Sequence, residues 1–279
     1  MLVVQTVAEV RNECNRLRAG GKTLGLVPTM GALHEGHISL VRMARASCDF
    51  VAVSIFVNPT QFGPKEDFTK YPRNLERDCQ ILEQAGADLV FVPSVEEMYP
   101  AGATTIVEVT GLSDRLDGAS RPGHFRGVAT VVSKLFHIFT PDRAFFGQKD
   151  AAQVAVLRKM VRDLLFGVQI EVCPTVREAD GLAMSSRNAY LSAEQRRQAL
   201  VLSRALRTIE GLVRQGEKDS GKLTAAALRV FGEEPAVEVE FCRIVDPSTL
   251  EDVADVRHGA LVAVAARVGS TRLIDNVLV

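Results

Sequence analysis

"KTLGLVPTMGALHEGHISLVRMARASCDFVAVSIFV", residues 22–57, decides the fold. Residues 22–29 are a short apolar run closing on Pro28, Ile38, Val41 and Ala44 then recur at helical spacing, and residues 50–57 are unbroken β-branched and aromatic sequence. Strand, loop, helix and strand make a βαβ unit, and the second run has the character of a strand covered on both faces of a parallel sheet. The pattern continues outward. A helix is predicted through Leu75, Cys79 and Leu82, closed by Gly86, then a strand at 88–93. Val128, Val131, Val132, Leu135, Phe136 and Phe139 form a third helical stripe, followed by a strand at 143–147, a helix through Val154, Leu157, Val161 and Leu164, and a strand at 168–173. Such alternation predicts an α/β fold with a Rossmann-like, doubly wound parallel sheet. Past Pro174 the order changes to a long helix (Ala199 to Val213), a shorter one near 222–231, and strands near 236–245, 260–268 and 272–278. Helices followed by strands predict a smaller C-terminal α+β domain, so the expected division is 1–175 and 176–279.

Bulk composition narrows the chemistry. The chain has 279 residues, 47% of them hydrophobic, with 33 basic and 34 acidic side chains and a net charge of −1. A neutral balance supplies no field for nucleic acid or an anionic membrane. With no Trp and 6% aromatic residues, a surface for stacking single-stranded bases is not expected either. Residues 1–20 lack the basic start and apolar block of a leader, and no apolar run reaches membrane-spanning length, so a cytoplasmic protein is expected. Cys14, Cys48, Cys79, Cys173 and Cys242 are odd in number and scattered, which suits buried apolar residues in a reducing compartment.

His34 and His37 flank "EG" at the predicted mouth of the first helix. As a metal site the pair is poor, because a zincin helix needs histidines four apart and no third ligand is nearby. As buried imidazoles they would simply be satisfied. Their position favours a grip on an anion: the carboxyl end of the first strand is where open α/β sheets bind ligands, and the helix's free N–H groups already attract phosphate. A neutral imidazole N–H adds a directed donor there, and Gly31 and Gly36 allow close approach.

This arrangement resembles the H-x-G-H nucleotidyltransferases, whose imidazoles bind ATP phosphates. These enzymes pair it with a K-M-S-K-S loop, and "AMSSR" at 183–187 keeps the Met-Ser core, with Ala183 and Ser186 where lysines would stand and Arg187 as the cation. With "SIFVNPTQFGPKEDFTKYPR" (54–73), "RPGHFRGVATVVSKLF" (121–136) and "FFGQKDAAQ" (145–153), the chain resembles the pantothenate synthetases, the pantoate:β-alanine ligases, over essentially its whole length and most strongly over 25–190. A rival is another H-x-G-H enzyme acting on a different small substrate.

The resemblance implies an AMP-forming ligase of pantothenate and coenzyme A biosynthesis. Pantoate carboxylate attacks the α-phosphate of ATP, giving pantoyl adenylate and pyrophosphate, and the amine of β-alanine then displaces AMP. It implies a homodimer, and Mg2+ held mainly by the triphosphate. The first domain would bind nucleotide and pantoate while the second closes over the ATP. By motif matching, His37, His34, Lys149 and Arg187 would be catalytic. Met30, Gly31, Ala32, Leu33, His34, Glu35, Gly36 and His37 would line the ATP site. Gly147, Gln148, Lys149 and Asp150 would hold the nucleotide, with Asp150 on the ribose. Val176 and Met184 would flank adenine, and Ser185, Ser186 and Arg187 would face the phosphates. Gln61 and Gln153, helped by Asn58, would bind pantoate, since an amide offers donor and acceptor without a repelling charge. No resident metal site is implied. The charged run 64–78 reads as a solvated loop entering a helix and, given the need to shield an adenylate, as a lid hinged at Gly63 and Pro64. His124 receives no role.

Overall fold

The computed structural model describes residues 1–64 and 66–279. The first part of the chain runs β1 (Leu2–Val4), α1 (Val7–Ala19), β2 (Leu24–Thr29), α2 (Glu35–Ser47), β3 (Phe50–Ile55), α3 (Leu75–Ala85) and β4 (Leu89–Phe91). Short turns α4 (Val95–Met98) and α5 (Asp117–Ser120) lead to α6 (His124–Phe139), β5 (Arg143–Gly147), α7 (Ala151–Asp163) and β6 (Gln169–Cys173). The six strands pair in parallel in the order β1-β4-β3-β2-β5-β6. The order reverses between β2 and β5, so their carboxyl ends open onto the switch-point crevice where such sheets bind ligands.

The predicted alternation is therefore present, with one correction. The strand carrying the histidines is the second, not the first, because β1 and α1 precede it. Thr6 and Glu9 form a reciprocal capping box at the start of α1, a signal that the spacing of Thr and Glu contained.

Side chains alternate across the sheet. Leu26, Ala52, Phe91 and Ala144 join the core under α1, α6 and α7, while Val27, Val51, Val53 and Phe145 join the core under α2 and α3. Burial on both faces explains the unbroken apolar reading of β3. Asn74 caps α3, and Gly86 ends it at φ 88°.

Beyond β6 come α8 (Ala193–Arg214), α9 (Ser220–Phe231) and an antiparallel sheet β7-β8-β9 (Val237–Val245, Leu261–Val268, Thr271–Leu278). In β8, Val262, Val264, Ala266 and Val268 pack with α8 and α9, whereas Leu261 and Ala263 join the core of the six-stranded sheet. The small sheet is thus wedged between its own helices and the larger unit. Polar contacts add to the wedge: Arg272 bonds Asp117 and Glu240, each at 2.7 Å, and Arg177 forks onto buried Asp275 at 2.6 and 3.0 Å.

One contact sets the floor of the crevice. A Cβ at Gly127, on α6, would lie 2.4 Å from the Thr60 carbonyl oxygen and 2.7 Å from the Gln61 Cα. Only glycine lets the turn after β3 press against the helix. Gly127→Ala should destabilise the protein by about 1–3 kcal/mol, as overpacking of a rigid contact does. Urea denaturation checks this, with Ala129→Gly on the same helix as the propensity control.

Candidate active site

β2 ends at Thr29, and the backbone turns through Gly31 (φ 80°) and Ala32 (φ 50°) before α2 begins. His34 is the N-cap of that helix. Its Nδ1 accepts the Gly36 N–H at 3.2 Å, and its own N–H donates to His37 Nδ1 at 3.3 Å. The imidazoles therefore take the place of the Ser and Glu of an ordinary capping box. The rings sit 4.1 Å apart, tilted by 43°. With both Nδ1 atoms accepting, each neutral ring carries its hydrogen on Nε2.

Burial pushes His34 down to about 4, with the Lys149 ammonium adding to the effect, while burial and the neighbouring His34 push His37 down to about 3. Both imidazoles are neutral donors at pH 7.

The loop at 183–187 meets this turn. Ser186 Oγ donates to the Ala32 carbonyl at 3.2 Å, and Met184 Cβ is 3.7 Å from where a side chain on Gly36 would begin. Met184 N–H bonds the Val176 carbonyl at 3.0 Å, setting those two residues side by side. Ser185 caps the turn at Arg187. Arg187 forks onto Asp67 at 3.0 and 3.1 Å, which holds its guanidinium above the ordinary range despite burial.

Lys149 and Asp150 follow β5 and lie 3.5 Å apart. Burial alone would raise the Asp150 carboxyl, but the Lys149 ammonium overrides it and the net shift is downward. The carbonyls of Gln148 and Lys149 are both bonded by Asn276 Nδ2, at 2.9 and 2.8 Å, and Gln148 Nε2 returns a bond to Asn276 Oδ1 at 3.0 Å. No sequence pattern marked Asn276; it acts from β9.

A cleft of about 580 Å3 opens between the two sheets, lined by Lys149, Asp150, Ser185 and Arg187 from the expected set, with Asp67 and Tyr190 added. That is the size of a small-molecule site. Among the described residues no group of three or more metal-ligating side chains occurs.

The amide cluster divides. Gln61 is buried, its Nε2 3.1 Å from Met30 Sδ, and Gln153 is half-buried at the start of α7. Asn58 is fully engaged: Oδ1 accepts from Thr60 and Tyr99, and Nδ2 donates to Gln61 Oε1 and the Gly127 carbonyl, both at 3.1 Å. Its amide orients Gln61 and keeps no hydrogen for a ligand. None of residues 30–37 lines the cleft itself, nor do Gln61, Gln153, Val176, Met184 or Ser186. The histidine turn meets it through the 183–187 loop, while Glu35 points into solvent against Arg42 and the Leu33 side chain is in the core.

In the charged run 64–78, residues 64, 69, 70 and 73–77 are exposed and α3 begins at Leu75, as a solvated loop entering a helix would have it, but part of the run is built into the fold. Tyr71 and Asp78 are buried, and residues 66, 67, 69 and 70 form a wall of the cleft. Lys65 lies outside the described residues. His124 gains a place: Nδ1 donates to the Gln61 carbonyl at 2.9 Å and Nε2 accepts from Arg121 at 3.0 Å, while Arg121 also grips Glu66.

The model of the family described as pantoate-beta-alanine ligase matches residues 2–278. The chain belongs to the pantoate–β-alanine ligase family. A pantothenate synthetase from Acidobacterium capsulatum is 65% identical, the match covering 98% of this chain and 95% of that protein. The crystal structure of the pantothenate synthetase from Thermus thermophilus superposes with a TM-score of 0.95 at 49% identity over 99% of both chains. A pantoate–β-alanine ligase from Francisella tularensis, complexed with β-γ ATP and β-alanine, gives a TM-score of 0.78 at 34% identity, covering 100% of this chain and 97% of that one.

The depressed imidazoles of this ligase have a pH consequence. Folded values near 4 and 3 lie below the ordinary 6.5, so an unfolded chain takes up protons first. Stability contributed by the neutral rings is whole above about pH 6.5 and is lost as pH falls toward 4 and 3. Urea midpoints between pH 7.5 and 4.5 should fall more steeply for the wild type than for His34→Gln/His37→Gln. Parallel slopes would mean that the rings titrate freely.

Proposed function

We propose that this enzyme joins pantoate to β-alanine at the cleft between the two sheets, consuming ATP and releasing AMP and pyrophosphate. The observation that supports the reading is the bond from Ser186 to the Ala32 carbonyl, through which the Met-Ser loop meets the histidine turn. Another H-x-G-H enzyme is disfavoured, because the family match runs through both motifs and the whole span between them.

A carboxylate does not acylate an amine until one of its oxygens leaves readily, and transfer to the α-phosphate achieves that. In the first step pantoate oxygen forms a bond to the α-phosphorus and the bond to pyrophosphate breaks. Negative charge grows on the departing oxygens. His34 and His37 offer Nε2–H donors there without a cation's grip on the ground state, and Lys149 and Arg187 supply the charge. Arg187 exchanges Asp67 for phosphate as the nucleotide enters. Gln61 and Gln153 hold pantoate, with Asn58 and His124 as positioning residues for Gln61. Asp150 receives the ribose, and Val176 and Met184 flank adenine. In the second step the β-alanine amine attacks the acyl carbon and AMP leaves.

Mg2+ fits this cleft as part of Mg·ATP. Each acidic side chain lining it already faces a cation: Glu66 faces Arg121, Asp67 faces Arg187, Asp150 faces Lys149 and Asp275 faces Arg177. The triphosphate is then the metal's main ligand. We divide the chain at about residue 175, after β6, into a nucleotide- and pantoate-binding unit and a unit that closes the ATP site. A homodimer and a cytoplasmic address complete the proposal; unpaired cysteines support the second, and sedimentation tests the first.

Three measurements test the reading. Pyrophosphate should exchange into ATP when pantoate and Mg2+ are present, indifferent to added RNA, and exchange without pantoate would reject the substrate. His37→Ala should lower kcat by about 10²-fold or more in a folded protein, as loss of a preorganised donor does. Tryptic cleavage at exposed Lys70 should slow when ATP and pantoate are both bound, since residues 66–70 wall the cleft; equal rates would remove the lid.

A further inference from the structure

We propose that Asp78 is a positioning residue for the adenylation step, acting by holding the turn that aims His34 and His37. The inference rests on the function proposed above. Asp78 belongs to the first turn of α3 and is 1% exposed. Its two oxygens accept from backbone alone: Oδ2 from the Ala32 N–H at 2.8 Å and Oδ1 from the Leu33 N–H at 2.9 Å.

Those two amides lie in the most contorted stretch of the site. Gly31 and Ala32 are consecutive left-handed residues, with φ 80° and 50°. Alanine rarely adopts that conformation, and it persists only where the surroundings over-determine it. The carboxylate is the surrounding that does so. A Cβ on Gly31 would stand 3.1 Å from Asp78 Oδ2, so the fit is tight as well as bonded.

Immediately downstream, His34 must be extended (φ −137°, ψ 174°) for its N–H to reach His37 Nδ1. That bond leaves the His37 hydrogen on Nε2. The chain of cause therefore runs from one buried carboxylate, through two amides and a left-handed turn, to the direction and tautomer of both imidazoles. A side chain so placed affects the step that uses the imidazoles and leaves the others alone.

Asp78→Asn is the test, because an amide keeps the shape but accepts with one oxygen. We expect kcat for pantoate-dependent pyrophosphate exchange to fall at least 10-fold, with KM for pantoate within about two-fold of wild type. Formation of pantothenate from supplied pantoyl adenylate and β-alanine should stay within two-fold. In ¹⁵N spectra, His37 should lose its single Nε2–H tautomer. Equal losses in both half-reactions, or a rate loss with unaltered imidazole signals, would reduce Asp78 to a structural residue and overturn the proposal.

The same change is made in an Ala32→Gly background, where the turn carries less strain. There the exchange rate lost on adding Asp78→Asn should shrink at least three-fold, and an undiminished loss also overturns it. Wild-type enzyme in the same assay separates the two ideas: if it does not exchange, the function is wrong, whereas exchange with an indifferent Asp78→Asn sinks only the positioning role.

Discussion

The free N–H groups at the start of α2 must find acceptors, and the two imidazoles supply them. Most helices meet this need with a hydroxyl and a carboxylate. Here the caps are the groups proposed to act on the phosphates, so on that reading closing the helix also sets the site. Because each Nδ1 is spent on a backbone N–H, each neutral ring keeps its hydrogen on Nε2. Serine or aspartate at either position would cap as well, and the directed ring donor would be gone.

Around that helix end the charges are arranged in opposed pairs rather than as a basic patch. Lys149 faces Asp150 and Arg187 faces Asp67, so much of the charge lining the cleft is answered within the protein. This agrees with the even charge balance of the whole chain. On the function proposed, a triphosphate entering the cleft would meet Lys149 and Arg187.

Much of this was legible in the order of residues. The unbroken "FVAVSIFV" announced a strand buried on both sides, and "HEGH" with "AMSSR" announced two loops converging at a strand end. β1 went unread because Leu2–Val4 is too short to show a period. Asp78 was hidden by its company, since "NLERD" reads as solvated helix and only the tertiary fold sets that one carboxylate on the amides of residues 32 and 33. Asn276, Arg272 and Asp117 were equally silent. Each is ordinary in its own stretch and gains meaning from a partner far along the chain.

The Asn276 clamp ties the calendar of the molecule to its chemistry. Its bonds reach back 127 and 128 residues, from β9 to the carbonyls beside Lys149 and Asp150. On the ribosome the parallel sheet has all six strands long before β9 emerges, since domains fold in order of synthesis. The loop that presents the lysine and its aspartate stays unpinned through that interval. A growing chain can thus be largely folded and still lack the clamp on the loop after β5, which arrives only with the closing hairpin.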